Sequence, residues 1–133
     1  MKNRFLCLLL PIFTLILEIS PYGAVCNFAN PEGEPWRKTF SYFDLTPFGY
    51  ANFAPFFTAI LTCVVFLLLV IYCFTGKEQL ARIAKNVLCM GVVISFAPLL
   101  FGISFFSVVG LLISLSLIGE LGLLQFKIKK STK

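Results

Sequence analysis

Histidine is absent from this 133-residue chain, so the groups left to do chemistry are six acids, five cysteines and a scatter of hydroxyls. The commonest general base and the commonest metal ligand are thereby removed. Glu120 stands out as the only acid after Glu78. A carboxylate at membrane depth is costly and by default marks a site for a proton or a cation. Glu120 also lies seven residues before Lys127, and a fold-back of the chain would bring it level with Lys85, with Arg82 one turn further on. The plainer expectation is a structural ion pair of Glu120 with Lys85 or Arg82 near the membrane edge, and a coupling site is the alternative. Glu18 closes the first apolar segment beside Ser20 and Pro21 and is expected at headgroup level. Asp44 sits between two aromatic patches. A lone acid makes a poor metal site, and its short side chain suits the capping of a turn.

Nucleophilic catalysis finds no support. The hydroxyl residues have no histidine or evident basic partner to activate them, so no enzyme activity is expected. Cys7, Cys63, Cys73 and Cys89 fall in apolar segments without metal-ligand spacing, and read as small apolar side chains packed among helices. Cys26 is the one cysteine of the long polar loop and has no loop partner for a disulfide. Neither a metal nor a cofactor is expected.

The elements that must position these groups are membrane helices. Hydrophobic residues make up 59% of the chain and charged ones 13%, about half the charge of an ordinary soluble domain. A water-soluble core cannot absorb that much apolar surface, whereas a lipid bilayer can. The net charge of +5 has a topological cause: nine of the eleven Lys and Arg residues fall in three short segments, Lys2 to Arg4, Lys77 to Lys85 and Lys127 to Lys133. Such clusters mark the cytoplasmic side. No basic face with interleaved aromatics is present, which argues against nucleic acid as a partner.

Residues 5–19 form a first apolar segment that fits either a signal peptide or a membrane helix. A basic start, a short apolar run, Pro21 and the small residues Ala24 and Cys26 fit cleavage. Glu18 interrupts the region where a signal would still be apolar, and apolar character resumes at Ala24 and Val25, so an uncleaved anchor is the favoured reading. Residues 20–54 form a polar loop rich in aromatics. Within it Pro31 to Pro35 is turn-forming, and Trp36 to Phe43 alternates enough for a short strand or an interfacial segment. Trp36, Tyr42 and Tyr50 are placed to anchor the loop on the headgroup layer or, together with Asp44, to offer an interaction surface. Residues 55–74 are the clearest span, roughly 30 Å of helix.

Asn86 to Gly119 carries no charge, and as one straight helix these 34 residues would reach about 51 Å, too long to cross a bilayer once. The run must fold back, at Phe101-Gly102-Ile103-Ser104, with Gly102 breaking the pattern and Ser104 capping the returning helix. A turn centred there sets facing residues at numbers summing to about 205. Gly91 then faces Ser114 and Ser95 faces Gly110, small residues that let helices approach closely in lipid. The same register pairs Lys85 with Glu120.

The phrase from Phe40 through Tyr42, Asp44, Pro47 and Tyr50 to Phe53 resembles small uncharacterised bacterial four-span integral membrane proteins of similar layout, a resemblance that implies no activity. Glu18, an acid in the first span of a small four-span chain, also resembles the small multidrug resistance transporters in architecture alone, and no residue roles are carried across.

The expected protein is an all-α membrane protein, residues 1–133 forming one domain, with spans near 5–19, 55–74, 83–100 and 104–126. The last two form a tight antiparallel hairpin, both termini are cytoplasmic, and loop 20–54 lies outside the cell membrane. The expected partners are the lipid bilayer and other membrane proteins or further copies of the chain. The expected role is that of an accessory or interaction protein working through helix packing and its aromatic loop. The alternative is a minimal oligomeric transporter or channel using a membrane-embedded carboxylate.

Overall fold

A computed structural model describes residues 2–131, which form six α-helices and one two-stranded sheet. Helix α1 (Lys2–Phe5) runs through a 3-10 turn (Leu6–Leu8) into α2 (Leu9–Ile19). The break has a cause in Pro11. Its ring displaces the carbonyl four residues back, which disfavours regular α-helix across Cys7, while its own place in the first turn of α2 costs no hydrogen bond. Strands β1 (Ala24–Phe28) and β2 (Trp36–Phe40) pair antiparallel, with Ala24 opposite Phe40 and Phe28 opposite Trp36. Their connection turns at Asn30, whose side-chain oxygen accepts the Glu32 N–H at 3.1 Å. A short helix α3 (Thr46–Gly49) then leads to α4 (Ala54–Thr75), α5 (Glu78–Ser95) and α6 (Val108–Ser131).

Three helical stretches among the described residues are long and apolar enough to cross a membrane: Ala54–Thr75, Glu78–Phe101 and Val108–Ser131. Leu6–Ile19 is a shorter apolar helix. Helix α4 carries Pro55 in its first turn and ends on Gly76, whose φ of +69° is the left-handed form that glycine adopts freely. Helix α5 begins with Glu78, an acid at the positive end of the helix dipole.

The fold-back after α5 is longer than the four-residue turn the sequence suggested. Pro98 stops the α-helix at Ser95, since its ring cannot share space with the carbonyl one turn earlier. The chain continues through 3-10 turns at Ala97–Phe101 and Ile103–Phe105, with Gly102 at φ +123° between them. The cap of α6 is Ser107 and not Ser104: Ser107 Oγ accepts the Gly110 N–H at 2.8 Å and donates to the Gly23 carbonyl at 2.5 Å.

Each helix buries one narrow stripe. On α2 it is Pro11, Thr14 and Glu18, continued backwards by Cys7; on α5 it is Ala81, Ala84, Leu88, Gly91 and Ser95. On α6 the stripe runs through Gly110, Ile113, Leu117, Glu120 and Leu124, with Ser114 and Ser116 buried on its flanks. These steps of three and four residues are the spacing of a helix seam. Helix α5 packs most extensively along α4, then against α6, while α2 lies along α6 and α4. The hairpin of β1 and β2 sits at the end of the bundle where α2 finishes and α6 begins, with Ala24 bridging to Phe106. The strand β1 was missed in the sequence, where Ala24 and Val25 read as a continuation of the first apolar segment.

Candidate functional site: a buried carboxylate pair

Glu18 and Glu120 both point into the bundle, at 0% and 3% exposure. Each is carried there by the seam of its helix. Glu18 follows Cys7, Pro11 and Thr14 at steps of four, three and four, and Glu120 follows Ile113 and Leu117 in the same rhythm. Glu120 lies twelve residues into α6, about 18 Å from its start and so near the middle of the helix.

A threonine from another helix holds each carboxylate. Thr14 of α2 donates to Glu120 Oε1 at 2.6 Å, and Thr62 of α4 donates to Glu18 Oε1 at 2.8 Å. Thr14 and Glu18 are one helical turn apart on the same stripe, so the two carboxylates are neighbours in the bundle. Ser116, one turn before Glu120, meets Thr14 Oγ1 at 2.6 Å. Both threonines also have a second acceptor on their own helix: Thr14 reaches the Leu10 carbonyl at 2.9 Å and Thr62 the Thr58 carbonyl at 3.0 Å. Oε2 of Glu18 and Oε2 of Glu120 accept no hydrogen bond among the described residues.

This arrangement replaces the expected clasp with Lys85. Glu120 turns toward α2, and Arg82 Nη2 instead meets Glu78 Oε2 at 3.9 Å, an exposed contact within α5. The fold-back register sets depth, but the rotation of each helix about its axis is set by its buried stripe, and the stripe of α6 presents Glu120 with Ile113 and Leu117. The four small residues do not form matched pairs across the hairpin either. A Cβ on Gly91 would meet Leu61 of α4 at 3.8 Å, and one on Gly110 would meet Tyr42 Oη at 3.2 Å. Ser95 donates to the Val92 carbonyl at 2.7 Å and Ser114 to the Gly110 carbonyl at 3.1 Å, each bonding back to its own helix. Glu18, expected at headgroup level, is fully enclosed.

The loop residues divide. Trp36 and Tyr50 are 77% and 64% exposed and line a groove of about 530 Å³ with Phe28, Lys38, Phe40 and Thr46. Tyr42 was grouped with them as a surface anchor and is instead 2% exposed at the end of the bundle. The reason is the close packing that Gly23 and Gly110 permit around its ring. Asp44 caps a turn: its Oδ1 accepts the Thr46 N–H at 2.8 Å, and that bond, with help from the Thr46 hydroxyl, holds the carboxyl below the usual carboxylate range. Cys26 is buried on β1, and burial pushes its thiol up. No group of three or more metal-ligating side chains converges among the described residues.

Sequence reasoning weighed Glu18 but passed over Thr14, Thr62 and Ser116. A signal was present: each interior glutamate follows a hydroxyl residue by four positions, Thr14 before Glu18 and Ser116 before Glu120, and each pair lies on one helix face. Comparison with protein-family models, with curated proteins and with solved structures finds no match for this chain.

Proposed function

We propose that this is a four-span membrane protein whose interior carboxylates bind and release protons, as the working part of a minimal proton-coupled transporter or channel. Leu6–Ile19 is its short first span. The end of the bundle carrying Lys77, Arg82, Lys127 and Lys130 faces the cytoplasm, as do both chain termini, and the β-hairpin faces outward.

The observation that carries this reading is the double choice open to each threonine. A hydroxyl has one proton to give and lone pairs with which to accept. When Glu120 is ionised, Thr14 donates to it. When Glu120 carries a proton, the carboxylic acid donates to Thr14 Oγ1 and the threonine turns its own proton to the Leu10 carbonyl. Thr62 has the same choice between Glu18 and the Thr58 carbonyl. Oε1 of each glutamate thus keeps a partner in both protonation states with no movement beyond a hydroxyl rotation. Two acids in an apolar interior are held most readily when their charge is neutralised, and a packing clasp would set a cation against them. Hydroxyls that serve either state fit a site that is loaded and unloaded.

The test is proton flux into proteoliposomes with a pH-sensitive dye inside. An imposed pH gradient is expected to collapse faster with the native protein than in empty vesicles, and Glu120→Gln and Glu18→Gln should each remove the excess rate. Equal rates for native protein and empty vesicles would sink the proposal. A second reading, an interaction protein presenting its hairpin, is favoured by the exposure of Trp36 beside the aromatic groove. It predicts no dependence on either glutamate.

A further inference from the structure

We infer that Tyr42 is a removable plug over the carboxylate pair, so that the site communicates with the hairpin side of the membrane when the turn bearing Tyr42 lifts. This deepens the proton-site reading and rests on it for the meaning of the opening, though the plug itself is tested without any flux.

The turn after β2 is seated on the last turn of α2. There the Glu18 carbonyl, one of the helix-end acceptors without an intrahelical partner, takes the Tyr42 N–H at 2.9 Å and the Ser41 hydroxyl at 3.2 Å. The backbone of the residue whose side chain forms the site is thus clasped by the loop that covers it. The ring of Tyr42 fills the end of the bundle through two glycines. A Cβ on Gly23 would stand 2.8 Å from Tyr42 Cδ1, and one on Gly110 would stand 3.2 Å from the phenol oxygen. Burial, reinforced by the Glu18 carboxylate, pushes the Tyr42 phenol well above its usual range, so the plug stays an uncharged O–H.

The two approaches to the pair differ in chemistry. From Gly110 to Glu120 α6 descends about 15 Å, and its buried residues there are Ser114 and Ser116 together with Ile113 and Leu117. Beyond Glu18 toward the hairpin lie further polar groups: Ser20 Oγ, buried and without a hydrogen-bond partner among the described residues, and Ser107 on the Gly23 carbonyl. Toward the lysine-bearing end the buried side chains are Pro11, Leu69, Leu124 and Cys7, the last meeting the Lys127 ammonium at 3.0 Å. The buried hydroxyls of α6 next to the pair, Ser114 and Ser116, lie on the hairpin side of Glu120, and Tyr42 stands over that approach.

Ser114→Cys places a thiol on the buried face of α6 between Tyr42 and Glu120. The protein, reconstituted in vesicles, is treated from the hairpin side with a small charged thiol reagent, and modification is read residue by residue by mass spectrometry. Adding Tyr42→Ala should raise the rate at position 114 at least about tenfold, equivalent to about 1.4 kcal/mol in the opening equilibrium. Tyr42→Phe, which keeps the ring, should leave that rate near the parent's. Cys73, buried toward the opposite end, should label at an unchanged rate in both. If the alanine variant loses its helical circular dichroism, Tyr42→Leu replaces it under the same expectations. An unchanged rate at position 114, an equal rise with Tyr42→Phe, or an equal rise at Cys73 in a folded variant would each overturn the plug. Labelling needs no transport, so loss of flux in the glutamine variants with the plug intact bears on the site alone.

Discussion

The α4–α5 seam and the seam that joins α2 to α6 and α4 both bury residues at steps of three and four and differ in what fills them. In the first, α5 buries Ala81, Ala84, Leu88 and Gly91, with Gly91 set beside Leu61 of α4, and α4 buries Ala59, Val65 and Leu69. Small side chains bring the backbones close, and dispersion does the rest. In the second, Thr14, Glu18, Ser116 and Glu120 occupy the same kind of position, and hydrogen bonds between helices replace methyl contacts. Helical spacing therefore decides which residues are enclosed and leaves open what they do there. A seam built only to hold would gain nothing from two acids, since apolar residues of similar volume in place of buried charged groups are often neutral or stabilising.

That contrast can be broken at three places. The largest effect is expected from Leu88→Ala in the apolar seam. Leu88 is 1% exposed, and its truncation should cost about 2–5 kcal/mol in reversible unfolding from mixed micelles. A loss smaller than that from any change in the polar seam would mean the labels on the two seams are reversed. Thr14→Val comes next. It removes the donor to Glu120 while keeping the shape, and should cost about 1–3 kcal/mol by the same measurement, with the loss shrinking in Glu120→Leu, where no carboxylate is left unpaired. Undiminished loss in the double variant would show that Thr14 matters for packing only. The smallest effect belongs to Lys85→Met, which should stay within about 0.5 kcal/mol of the native protein. A loss near that of Leu88→Ala would restore the ion pair that the register alone suggested.

Much of the helical part was legible from the residues themselves. The long uncharged run had to fold back, Gly102 lies at the fold, and the helix from Ala54 to Thr75 departs from the expected span by a single residue at each end. The site was less legible for a specific reason. Facing numbers along a hairpin give depth, and depth placed Glu120 beside Lys85. Rotation about the helix axis comes from the stripe that each helix buries, and reading it requires the steps of three and four to be traced through Glu120 and Glu18 as though they were apolar. Patterns based on hydrophobicity skip those positions, so the acids looked like edge residues. The pairing of β1 with β2 was hidden likewise, because a short buried strand beside an apolar helix has no period of its own.

By itself the sequence determined that the chain is apolar enough for lipid, where it must turn, and which residues could carry charge, because these follow from composition, helix rise and the special backbones of glycine and proline. Only the tertiary structure decided that Thr14 of one helix meets Glu120 of another, that Thr62 meets Glu18, and that Tyr42 closes the end of the bundle. Those contacts join residues separated by up to about a hundred positions, and they depend on how four helices rotate against one another once every stripe is buried at the same time.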